Sequence, residues 1–167
     1  MAPVDASTEG WADPPDGAVE QTFSELDWYA ASLGAVRFER CRFDRVDLTE
    51  ASLAGTVFDD CVFDNCRFNA ATLTGAALIG CELVRTNLFD STWEGCKLSG
   101  TAVRECTLRP MRVVGGVWRG VSLRGADLSR LDLTGLDLRE SDLSMADLSG
   151  AVLHGVQLSG EIGRAHV

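Results

Sequence analysis

Six cysteines, two histidines and 25 acidic residues are the groups of this 167-residue chain whose types could do chemistry. Thiols among imidazoles hold zinc, and thiols in pairs form disulfides. Paired carboxylates move protons, and glycine-rich loops cradle phosphates. The spacing points elsewhere. Cys41, Cys61, Cys66, Cys81, Cys96 and Cys106 are separated only by multiples of five residues. They share one structural position, which suits a small buried hydrophobe. His154 falls at an outward position and His166 in the tail beyond the repeats, so no metal-ligand set is expected. The glycines follow the same rhythm and build no phosphate loop. No catalytic residue, metal or cofactor is expected, and the chain reads as a non-enzyme.

The element that positions such a series must itself have a period of five. Every fifth residue from Phe23 to Leu158 is large and apolar, without a slip in register. Two residues before each of these centres lies a mostly small residue, such as Ala31, Thr56, Ala71 or any of the cysteines. Neither a helix, with period 3.6, nor a strand, with period 2, sustains a period of five. Short strand-like segments joined by regular turns do. The centre and the small residue then face inward. Glycine, frequent two residues after the centre, suits a turn position with positive φ. Asp or Asn just before the centre can bond the nearby turn backbone. Two places depart from the rule. Pro110 and Met111 replace the usual turn and small residues, which predicts a local bulge or kink. Gly116, two residues before Trp118, is expected to make room for the indole.

Residues 125–153, GADLSRLDLTGLDLRESDLSMADLSGAVL, closely resemble the pentapeptide-repeat family. Its pattern is a small residue, Asp or Asn, Leu or Phe, then two variable positions. The resemblance extends over residues 21–160. It implies an all-β fold, a right-handed quadrilateral β-helix with four repeats to each 20-residue coil and about seven coils. At ~4.8 Å per coil the rod would be about 34 Å long.

Residues 1–20 carry acids, prolines and no basic residue, and are expected to form a disordered acidic arm. Residues 161–167 break the pattern. Their sequence, EIGRAHV, is similar to the translation of a common short-read sequencing adapter, so they are expected not to be native and the natural chain to continue. No apolar run approaches the ~20 residues that span a bilayer, and no secretory signal is visible, so a cytoplasmic location without membrane contact is expected.

The net charge is −10, but half of it lies in residues 1–22. Two functional readings follow. One is a protein-binding rod or scaffold with an unidentified partner. Its candidate surface combines the acids Asp44, Asp59, Asp60 and Asp64 with the outward apolar residues Val57, Val62, Ile79 and Val84, gathered near one corner. The other comes from the resemblance of residues 106–158 to actinobacterial gyrase-directed members of the family. It implies a DNA mimic that binds DNA gyrase or topoisomerase IV and protects against fluoroquinolones. The modest charge of the repeat region favours the first. Direct nucleic-acid binding is disfavoured by the acidic balance. A homodimer through missing native C-terminal sequence is compatible with either.

Overall fold

A computed structural model describes residues 13–160 and Gly163. The strands in chain order are β1 (Ala18–Val19), β2 (Thr22–Ser24), β3 (Ser32–Leu33), β4 (Arg37–Glu39), β5 (Arg42–Asp44), β6 (Ser52–Ala54) and β7 (Val57–Asp59). They continue with β8 (Val62–Asp64), β9 (Thr72–Thr74), β10 (Ala77–Ile79), β11 (Glu82–Val84), β12 (Thr92–Glu94), β13 (Ala102–Arg104) and β14 (Arg112–Val114). Among the described residues there is no helix.

Every strand pairs in parallel with the strand 20 residues away, as Phe43 with Phe63 and Leu83 with Val103. This step stacks the chain into a solenoid with four faces. Face 1 is β1-β4-β7-β10, face 2 is β2-β5-β8-β11-β13, and face 4 is β3-β6-β9-β12-β14. Face 3 is made of single bridges from Asp27 through Asp47, Arg67 and Asn87 to Thr107. About five turns therefore carry extended strands. Beyond them the same step continues through bridges such as Ala102 to Ser122 and Ser122 to Asp142. The stack begins before the boundary drawn at residue 20, because Ala18 pairs with Phe38. Residues 1–12 lie outside the described residues, as do those of 161–167 other than Gly163.

The interior follows from the two inward columns. Phe23, Phe43 and Phe63 stack face to face at 5.2 and 4.7 Å, and Phe38 on Phe58 at 5.3 Å. The two columns meet edge to face, as Phe58 and Phe63 do at 5.0 Å. The ring quadrupole favours the edge-to-face contacts, and favours parallel rings where they are offset. Farther along, leucines fill the same positions, and Leu123, Leu133, Leu138 and Leu143 are buried. Corners turn through left-handed residues two after the centre, among them Glu50, Asp60 and Arg85 as well as glycines. Non-glycine residues thus serve at many corners, because only backbone direction is required there.

Candidate interaction surface

The eight candidate residues all lie on faces 1 and 2, around the corner at Asp60. Val57 and Asp59 are in β7, Ile79 in β10, Val62 and Asp64 in β8, Val84 in β11 and Asp44 in β5. Val57 stacks beside Ala77, Asp59 beside Ile79, and Asp64 between Asp44 and Val84. The four apolar side chains are half-buried. The large apolar residues that are exposed lie elsewhere and include Tyr29, Phe89, Val114, Val117 and Met145.

The acids here are interleaved with arginines. Asp64 accepts from Arg42 at 2.9 Å and from Arg85 at 2.7 Å. Arg37 bridges Asp59 at 2.5 Å and Glu39 at 2.7 Å. Arg45 reaches Asp44 at 3.2 Å. The corner is a mixed-charge lattice rather than a bare acidic patch. Face-to-face stacking explains it: like charges 20 residues apart lie directly opposite and repel, so arginines from neighbouring columns settle among them.

The cysteines are hydrogen-bond donors as well as packing residues. Cys61, Cys66, Cys81 and Cys96 each direct Sγ at the carbonyl 23 residues earlier, at 3.2–3.4 Å. Thr101 does the same to Leu78 at 2.7 Å and Ser141 to Trp118 at 2.9 Å. Thiol and hydroxyl therefore play one role in one column. Composition alone did not reveal this. The signal was present in the sequence as the interchange of Cys, Thr and Ser at that position. Burial pushes the thiols of Cys41, Cys96 and Cys106 up and that of Cys66 up to about 12, which keeps them unreactive at neutral pH. Among the described residues no group of His, Cys, Asp or Glu could hold a metal.

The aspartates before the centres serve turns. Asp127, Asp132, Asp142 and Asp147 accept from the backbone N–H two residues on, and also from the Ser or Thr hydroxyl there. Those bonds hold the carboxyls of Asp127, Asp132 and Asp142 below the usual range. Asp137 is buried, bonded by Arg139 at 2.7 and 2.9 Å, and held down to about 2.

A second feature was only hinted at by Pro110 and Met111. The peptide from Arg109 to Pro110 is cis, and Asp90 N–H bonds the Pro110 carbonyl, one residue beyond the 19-residue step seen from Glu50 to Asn69 and from Ala70 to Phe89. Beyond this point the ladder splits. Among the described residues no bridge joins Thr107 to Asp127 or Arg112 to Asp132. Faces 1 and 2 continue past it, through Val117 to Asp137 and through Ser122 to Asp142. Among the described residues a side-chain pair, Arg109 to Asp127 at 3.0 Å, crosses face 3 at this level. The result is a cleft of about 490 Å³ between residues 110–115 and 130–134. Gly116, just beyond, is explained differently from the sequence expectation. A Cβ there would lie 2.6 Å from the Cys96 carbonyl oxygen, so the glycine admits neighbouring backbone rather than the Trp118 indole.

The family profile described as pentapeptide repeats matches in eight copies over residues 30–109 and 117–160. No curated protein matches the chain by sequence. Among solved structures, trypsin-treated QnrB1, a plasmid-mediated fluoroquinolone resistance protein, is similar at 16% identity and TM-score 0.52, covering 89% of this chain and 84% of that one. HetL, involved in heterocyst differentiation regulation in Nostoc sp. strain PCC 7120, is 20% identical with TM-score 0.32 over 88% of this chain and 89% of that one. Rfr23 from Cyanothece 51142 is 16% identical with TM-score 0.41 over 90% of each chain. The five-residue register, the 20-residue parallel step and the profile match agree, and the chain belongs to the pentapeptide repeat family.

Proposed function

We propose that this chain is a non-catalytic rod that binds a protein partner in the cytoplasm. The observation that carries this reading is how the side chains are used. The inward positions are consumed by packing and by bonds to the preceding coil, and many of the aspartates by turns. What is left for function is an exposed surface repeated at fixed spacing, which is how solenoids recognise partners. The test is affinity capture with the immobilised chain, followed by reconstitution of the binary complex from purified components. A chain that captures no protein above an unrelated solenoid of equal charge would sink the reading.

A second reading, binding of DNA gyrase or topoisomerase IV by DNA mimicry, draws on the fold shared with QnrB1. The electrostatics weigh against it. Duplex DNA over about 34 Å carries ~20 negative charges. Removing the acids of 1–22 and the charged pair Glu161 and Arg164 leaves this chain at −5. Its acids are moreover paired with arginines at Asp59 and Asp64. A supercoiling assay decides. On the preferred reading the chain neither inhibits gyrase nor relieves ciprofloxacin poisoning, and either effect would establish the alternative.

A further inference from the structure

The split in the ladder leaves β14 as a sheet edge in the middle of the rod. In the intact coils the centre residue donates its N–H to the next coil, as Leu88 does to Thr107 and Leu133 to Val152. Among the described residues the equivalent bonds from Leu108 and Val113 are not made, nor are those from Gly115 forward or from Asp132 back to Met111. The cleft walls therefore present donors at Val113, Gly115 and Asp132 and an acceptor at Met111. An unpaired strand edge is a template for another strand. Val114 stands exposed beside it, and Val113 and Leu131 line the interior.

The cleft gathers two unpaired positive charges into one opening. Arg112 and Arg130 line it, both exposed, and among the described residues neither makes an ion pair. Arg37, Arg42, Arg85, Arg104, Arg119 and Arg139 are paired, while among the described residues Arg67 and Arg124 make no ion pair either but do not line the cleft. The one acid lining the cleft, Asp132, is engaged by the N–H and hydroxyl of Thr134 at 3.0 and 2.6 Å. Two uncommitted guanidiniums on a chain of net charge −10 mark a place for an anion.

We propose that the cleft receives an extended acidic segment of a partner protein, paired along the free edge of β14, with its carboxylates drawn to Arg112 and Arg130. A peptide suits the walls because it offers both N–H and C=O groups to an edge that has both donors and an acceptor. A nucleic-acid backbone offers phosphate acceptors but no matching donors at that spacing. The proposal rests on the reading of the chain as a partner-binding rod and locates the contact.

The probe is a fluorescein-labelled peptide of alternating Glu and Val, titrated with the full chain by anisotropy. Saturable binding is expected, with none for the Lys-Val counterpart. N-methylation of alternate amides is expected to weaken binding at least ~10-fold, about 1.4 kcal/mol. Arg112→Glu and Arg130→Glu should each do the same, with circular dichroism unchanged, whereas Arg67→Glu on face 3 should not. No saturation by ~1 mM peptide, or binding indifferent to N-methylation or to the two cleft variants, would overturn the proposal. Duplex DNA that binds in an Arg112- and Arg130-dependent manner would also overturn it. If affinity capture yields a partner that both cleft variants still bind, the rod reading stands and this site falls; if nothing is captured at all, the rod reading itself has failed.

Discussion

At the scale of single residues, several positions of the column two before the centre carry a thiol or a hydroxyl, and Cys81 and Thr101 each reach the carbonyl 23 residues earlier. Thr101 is the more committed of the two kinds. Its hydroxyl donates to Leu78 at 2.7 Å and accepts from the Cys81 N–H at 3.2 Å. Thr101→Val keeps the shape and strands both groups in the core, so denaturant unfolding should show a loss of about 1–3 kcal/mol. Cys81→Ser preserves the donor to Phe58 and should cost less than Thr101→Val. A larger loss for the serine would mean that sulfur volume, not donation, sets this column. The turn aspartates make a second prediction. The folded chain holds the Asp137 carboxyl from 3.8 down to about 2, first through Arg139. A group with a depressed folded pKa binds its proton more readily when unfolded, so its stabilisation is whole above 3.8 and fades as the pH falls toward 2. Asp127, Asp132 and Asp142 act in the same direction through Ser129, Thr134 and Ser144. The melting temperature should therefore drop between those two pH values. Asp137→Asn should flatten that drop, and an unchanged slope would contradict the assignment.

At the scale of elements, the corners decide where the stack closes and where it opens. Gly115 and Gly116 are neighbours with different demands. Gly115 has φ of 59° and nothing within 4 Å of an added Cβ, so Gly115→Ala should cost only the left-handed penalty of ~1–2 kcal/mol. Gly116 has φ of 114° and the Cys96 carbonyl at 2.6 Å, so Gly116→Ala should cost more than ~3 kcal/mol. Equal melting temperatures for the two variants would refute this account. The column through Pro110 shows the converse case. Ala30, Glu50, Ala70, Asp90, Arg130 and Gly150 all take positive φ at this corner, which the pyrrolidine ring forbids. The solenoid was legible in the sequence because a period of five fixes which side chains face inward, from Phe23 to Leu158. The kink at Pro110 was legible as a broken local rule. The cleft was not, because an opening depends on which backbone bonds fail between residues 20 apart, and no side-chain pattern records that. The arginine lattice around Asp64 escaped for a related reason. Arg42 and Arg85 meet Asp64 from different coils, and charge counted along the chain cannot show that meeting.

At the scale of the whole molecule, a solenoid is as strong as the weakest interface between neighbouring coils. Here that interface lies where faces 3 and 4 lose their bridges while faces 1 and 2 keep theirs. The parts on either side also differ in core. The N-terminal part holds the stacked phenylalanines, whereas beyond the split Trp118 is the one buried aromatic among the described residues. Burial records the loosening. Val113 is 7% exposed and Leu108 5%, whereas Phe43, Phe63 and Leu83 are at 0%. At about 1 kcal/mol net for each missing bond, the handful absent here should lower the opening free energy of the C-terminal coils by ~2–4 kcal/mol. Native-state hydrogen exchange reads this directly. The amides of Trp118, Leu123, Leu128 and Leu133 should exchange together, at a lower free energy than Trp28, Leu48 and Phe68, although each donates to the next coil at 2.7–2.9 Å. Unprotected amides at Val113 and Gly115 should mark the boundary between the two groups. A single exchange free energy shared by all of these sites would mean that faces 1 and 2 alone couple the coils, and that the split opens a surface without dividing the rod.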